Sequence, residues 1–71
     1  MSKHWNLYIK RKEHGLSQKS VAKVIGVSMG NYQLKESCKL DFTLKECHTL
    51  AEYFDTTLND LFPKEPSKDV G

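Results

Sequence analysis

The stretch that most constrains this chain is LSQKSVAKVIGVSMGNYQLKE, residues 16–36. Ser17 reads as an N-cap, and Gln18 opens a helix behind it. Val21, Ala22 and Ile25 recur at helical spacing and mark one inward face. Gly26 ends that helix, because the residue just past a helix end often needs φ > 0 and glycine adopts it freely. Val27 is an apolar plug in the turn. Ser28 then caps a second helix, from which Tyr32 points back onto Ala22. Ala22 is small, so the two helices can cross closely. Two short helices joined this tightly predict a helix-turn-helix.

The flanks add three more helices. Ser2 is placed to cap a first helix running to about Glu13, with Gly15 as its C-terminal stop. Two apolar stripes compete on it: Leu7 with Arg11, and Trp5 with Tyr8 and Ile9. The central pair is expected over 18–25 and 29–36, followed by a loop over 37–42. Thr43 and Glu46 form the ends of a capping box that opens a fourth helix, to about Phe54. Leu44, Cys47, Leu50, Ala51 and Phe54 recur at three- and four-residue steps, a core-facing stripe. Thr57 caps a short fifth helix with Leu58, Leu61 and Phe62 facing in, and Pro63 ends it. The expectation is one compact all-α domain of five helices over 1–62, with a flexible polar tail over 63–71.

The run GLSQKSVAKVIGVS (15–28) resembles the Cro/phage-repressor (Xre-type) helix-turn-helix family. The likeness continues through Glu36, then into LKECHTLAEYF (44–54) and TLNDLF (57–62), and so covers residues 6–62. It implies a lambda-repressor-like fold whose third helix enters the DNA major groove. It also implies that Gln18 contacts a backbone phosphate at a helix N-terminus, where N–H groups favour anions. Ser28, Met29, Gly30, Asn31, Gln33 and Leu34 match base- and phosphate-facing positions, with Ser17, Lys19 and Lys39 flanking them. Amides such as Asn31 and Gln33 suit adenine edges, and Met29 suits a thymine methyl. Arg11 and Glu36 match a structural ion pair between the first helix and the end of the third. The chain departs from the family at three places. Lys10 stands where an apolar residue is usual, Cys38 where glycine is common, and Phe42 where proline is common. The Cys38 exchange puts the usual φ > 0 of that loop in question.

Composition narrows the alternatives. The 71 residues carry 11 basic and 9 acidic side chains, net +2, a weakly basic balance that permits nucleic-acid binding without demanding it. The charge is asymmetric. Lys3, Lys10, Arg11, Lys12, Lys19 and Lys23 make the first third basic, whereas Glu46, Glu52, Asp55, Asp60, Glu65 and Asp69 make the last third acidic. No apolar run approaches the roughly 20 residues of a membrane span, and MSKHWNLYIKRK lacks a signal-peptide core, so the expectation is a cytoplasmic protein with no membrane partner. Cys38 and Cys47 form no disulfide framework in that setting. With His48 they do not make a zinc spacing. Cys47 is expected in the core, Cys38 in the loop or at a helix end, and His4, His14 and His48 on the surface. There is no nucleophile elbow, phosphate loop or metal motif, so no enzyme and no cofactor is expected.

Two functions remain. The first is a small phage or bacterial transcriptional regulator that binds double-stranded operator DNA, as a homodimer that doubles charge and groove contacts. The second is a modulator or antirepressor that docks on a partner helix-turn-helix repressor protein. Its case rests on the low charge, on Met29-Gly30 at the start of the third helix, and on Trp5, Ile9 and Leu34 as candidate protein contacts.

Overall fold

Helices this short do not hold themselves together in water, so their ends decide whether they form. The computed structural model describes residues 3–63. These hold five helices and no strand: α1 (Trp5–Glu13), α2 (Gln18–Ile25), α3 (Met29–Glu36), α4 (Leu44–Tyr53) and α5 (Leu58–Leu61). The fold is all-α.

Four of the helices begin alike. Ser17, Ser28, Thr43 and Thr57 sit in extended backbone, and each side-chain oxygen accepts from the N–H three residues on. At Thr43 the capping box is closed, since Glu46 Oε1 accepts from the Thr43 N–H at 3.0 Å. The first helix differs. Its N-cap is His4, which makes no side-chain cap, so the helix starts at Trp5 and not behind Ser2. Ser2 itself lies outside the described residues, as does the expected tail from residue 64 on.

Four helices also end alike. Gly15, Gly26, Cys38 and Asp55 have φ of 65°, 73°, 65° and 55°. Each is followed by a residue whose N–H reaches back to the last turn: Leu16 to Arg11, Val27 to Ala22, Lys39 to Leu34 and Thr56 to Ala51, at 2.8–3.0 Å. This is the Schellman closure, which satisfies carbonyls that a helix end otherwise leaves bare. The loop after α3 therefore keeps the left-handed residue although cysteine stands there instead of glycine.

The core is Leu7, Val21, Ala22, Tyr32, Leu50, Ala51, Phe54 and Leu61, with Leu16, Val24, Ile25, Val27, Phe42 and Phe62 packed partly buried against it. The stripe expected on α4 is too wide. Leu50, Ala51 and Phe54 are buried, but Leu44 is 70% exposed. As the first residue of the helix, it sits beside the cap, where the chain has only just turned onto the core. Cys47 is half-buried at the core's edge, and Leu58 and Phe62 are half-buried on α5 while Leu61 is fully inside. His4 is not a surface group. Its ring packs between Phe42 and Phe62, 5.3 Å from each centroid, so Phe42 in the loop serves as packing surface. Both cysteines are free thiols.

The two non-glycine left-handed residues carry different strain. Aspartate tolerates αL because its side chain bonds locally, whereas cysteine meets the Cβ clash in full, about 1–2 kcal/mol. Cys38→Gly is therefore expected to stabilise the domain by about 0.5–1 kcal/mol, and Asp55→Gly by less, once the added freedom of the unfolded chain is counted. Urea denaturation of the two variants checks this; a larger gain at Asp55 contradicts it.

Candidate nucleic-acid interface

The candidate surface is built around a buried carboxylate. Glu36, at the last turn of α3, is 1% exposed. Its oxygens accept four hydrogen bonds: from Arg11 Nε (2.9 Å) and Tyr32 Oη (2.8 Å) at Oε2, and from Arg11 Nη2 (3.1 Å) and Gln18 Nε2 (3.0 Å) at Oε1. A carboxylate offers about four acceptor positions, so this one is filled. The two bonds from Arg11 are the fork-to-carboxylate arrangement that only guanidinium makes. Arg11, 6% exposed, also donates from Nη1 to the Leu16 carbonyl at 3.0 Å, and the His4 N–H donates to the Glu36 carbonyl at 2.9 Å.

These contacts set the protonation states. Burial alone pushes the Glu36 carboxyl up, but the bonds from Arg11, Gln18 and Tyr32 and the charge of Arg11 outweigh it and hold the group below the usual carboxylate range. Burial works against the Arg11 charge, yet the bond to Glu36 and its negative charge raise the guanidinium further. Burial and the adjacent Glu36 push the Tyr32 hydroxyl well up, so it stays a donor.

The cluster decides what α2 and α3 show to solvent. Across residues 17–36 the acidic side chain is Glu36, and it faces inward. What remains outside is Lys19 and Lys23 on α2, both exposed, and Met29, Gly30, Asn31, Gln33 and Leu34 on α3. Ser17 and Ser28 spend their hydroxyls on capping. Lys35, the cation of α3, is not on this surface. Its Nζ donates to the Asp41 carbonyl (2.9 Å) and to Glu46 Oε1 (3.0 Å), which pins the end of α3 to the start of α4. Lys39 is exposed beyond the α3 closure.

Gln18 is held more firmly than an ordinary first-turn residue, since its amide nitrogen donates to Glu36. One of its two N–H bonds is engaged inside and the second is left for another acceptor. The phosphate role expected of Gln18 does not foretell this internal bond. Its only trace in the sequence is the spacing that sets both Arg11 and Gln18 opposite one carboxylate. Trp5 and Ile9, one turn apart on α1, are both exposed. Trp5 leans on Tyr8, with ring centroids 5.5 Å apart, whereas Ile9 lines a groove with Asn6, Lys10, Glu13 and Asp60. Among the described residues no group of three His, Cys, Asp or Glu side chains is placed to hold a metal ion, and no helix is long and apolar enough to cross a membrane.

No protein-family model and no curated protein sequence matches the chain.

Two stability predictions come from this geometry. Arg11→Ala strands a buried negative charge and is expected to cost about 3–5 kcal/mol, much of the stability of so small a domain. Lys35→Ala, at a pair nearer the surface, is expected to cost less. Equal losses in chemical denaturation contradict the difference in burial. The second prediction concerns pH. Burial holds the His4 imidazole below its ordinary value, only partly opposed by the charges of Glu36 and Asp41. The unfolded chain therefore takes up a proton at about pH 6.5 that the folded one refuses. Stability should fall as pH drops from about 6.5 toward the lowered folded value. His4→Phe should flatten that dependence between pH 7 and 5. An unchanged slope of stability against pH would rule His4 out as the cause.

Proposed function

We propose that the chain is a lambda-repressor-like helix-turn-helix domain of the Cro/phage-repressor kind, a cytoplasmic transcriptional regulator that binds double-stranded operator DNA. One observation carries this reading. The lone carboxylate of the α2–α3 unit is turned inward and fully hydrogen-bonded, so the unit's outer surface bears cations and amides and no negative charge. Such a surface suits a polyanion whose grooves present donors and acceptors.

The parts divide by task. Gln18, with its second N–H, and Lys19 at the start of α2 meet backbone phosphates, helped by the N–H groups of the helix N-terminus. Asn31 and Gln33 reach base edges, and Met29 touches a thymine methyl. Gly30 lets α3 approach the groove floor closely. Lys39 lies on a flanking phosphate. With no arginine on α3, direct readout is modest, and two copies on a two-fold operator supply the rest.

A second reading has its own observation. Lys35 is engaged internally, and Met29, Leu34, Leu40 and Leu44 are all exposed around α3 and the start of α4. A partner repressor protein that covers those apolar groups makes the chain a modulator.

The test is selection of sites from a random duplex library, followed by titration at two salt concentrations. Gln33→Ala is expected to cost about 1–3 kcal/mol at one base position and to relax specificity there. Gln18→Ala is expected to weaken binding to every sequence alike, beyond the roughly 1 kcal/mol of stability lost with its bond to Glu36. If no duplex is enriched and neither variant alters DNA binding, the DNA reading fails and the partner-protein reading takes its place.

A further inference from the structure

The strip of α1 next to the cluster has a composition that packing alone does not call for. The Tyr8 ring has three cations about it: Lys3 Nζ at 4.3 Å from the centroid, the Arg11 guanidinium carbon at 5.3 Å and Lys12 Nζ at 5.8 Å. Trp5, 56% exposed, stands edge-on to the same ring, with Lys3 Nζ 5.4 Å from its own centroid. Arg11 is neutralised by Glu36. Among the described residues neither Lys3 nor Lys12 has such an acidic partner. The acid of α1, Glu13, lies on the other flank, in the groove with Ile9, Lys10 and Asp60. Two ammonium groups drawn to one aromatic ring repel each other, and the ring's quadrupole offsets only part of that repulsion. An anion laid along the strip would remove the rest.

The strip is also continuous with the α2 N-terminus. Tyr8 stacks on Arg11, Arg11 bonds the Leu16 carbonyl, and the Ser17 cap and Gln18 follow directly. We infer that Lys3, Trp5, Tyr8 and Lys12 form a second contact surface for the phosphodiester backbone of duplex DNA, extending the footprint along α1 beyond α2 and α3. The inference rests on the DNA-binding reading above. Lys3 and Lys12 each neutralise a phosphate, the Tyr8 hydroxyl donates to one, and Trp5 packs against the adjoining sugar. These interactions carry no base information, so they raise affinity for all sequences together.

Trp5 is the single tryptophan of the chain, so its fluorescence reports on this strip and on nothing else. The test uses the full chain and a fluorescein-labelled duplex of mixed sequence, with binding read by anisotropy from low to moderate salt. Quenching of Trp5 by acrylamide is measured with and without unlabelled duplex. In the double variant Lys3→Gln/Lys12→Gln, the slope of log K against log salt is expected to fall by about 1.8, or about 0.9 for each phosphate that is no longer neutralised. Lys10→Gln, which removes one charge on the other flank, should leave the slope at its wild-type value. Bound duplex should shield Trp5 from acrylamide. If the wild type binds but the double variant keeps its slope, or Lys10→Gln lowers the slope as much per charge, or Trp5 stays equally quenchable, the strip is not a DNA-binding surface while the DNA reading stands. If the wild type fails to bind any duplex at low salt, both readings fall together.

Discussion

Glu36 places a full negative charge where water does not reach. Taking a carboxylate out of water costs several kcal/mol, and only a charged partner with every remaining lone pair satisfied offsets it. The chain meets that demand from three helices at once: Arg11 from α1, Gln18 from α2, and Tyr32 from α3 itself. Each donor must hold its position for the charge to stay buried, so the carboxylate ties the start of α2 and the end of α3 to one another and to α1. The same guanidinium fixes the turn before α2 through the Leu16 carbonyl. Hydrophobic contact is non-directional and brings the helices together; the cluster selects how they meet.

That arrangement also shapes the surface. With Glu36 inside and Lys35 pinned to Glu46 and the Asp41 carbonyl, α3 presents amides, a glycine and two apolar side chains. Lys19 and Lys23 on α2 and Lys12 on α1 face solvent, while Glu52 and Asp55 are exposed on α4 and just after it. In the proposed function, affinity comes from the flanks of the recognition helix and discrimination from its amides.

Much of this is legible in the residues. The hydroxyl caps, the glycine stops and the capping box are local signals with local causes, and the bounds of α2 and α3 coincide with those expected from Ser17, Gly26 and Ser28. Periodicity identifies Leu50, Ala51 and Phe54 but also Leu44, because a helical repeat does not reveal where along the helix the core begins. The left-handed Cys38 is not legible, since the residue disfavours a conformation that the Schellman bonds of Lys39 and the packing of Phe42 impose on it. The burial of His4 is not legible either, because a lone histidine near a terminus carries no periodic signal. Its place between Phe42 and Phe62 depends on residues more than thirty positions away in sequence. At the site, the pairing of Arg11 with Glu36 follows from a family resemblance, while the internal bond of Gln18 and the cations around Tyr8 need three-dimensional distances.

The central claim is that Glu36 stays ionised in the interior because its donors saturate it. The most direct test is a carbon-13 titration of the Glu36 side-chain carboxyl by NMR, followed from neutral pH downward while the backbone spectrum shows the domain folded. The account predicts that the Glu36 signal holds its ionised shift through the ordinary carboxylate range, about pH 4, and moves only as the domain unfolds. A Glu36 signal that titrates within that ordinary range, in a domain that remains folded, would contradict it.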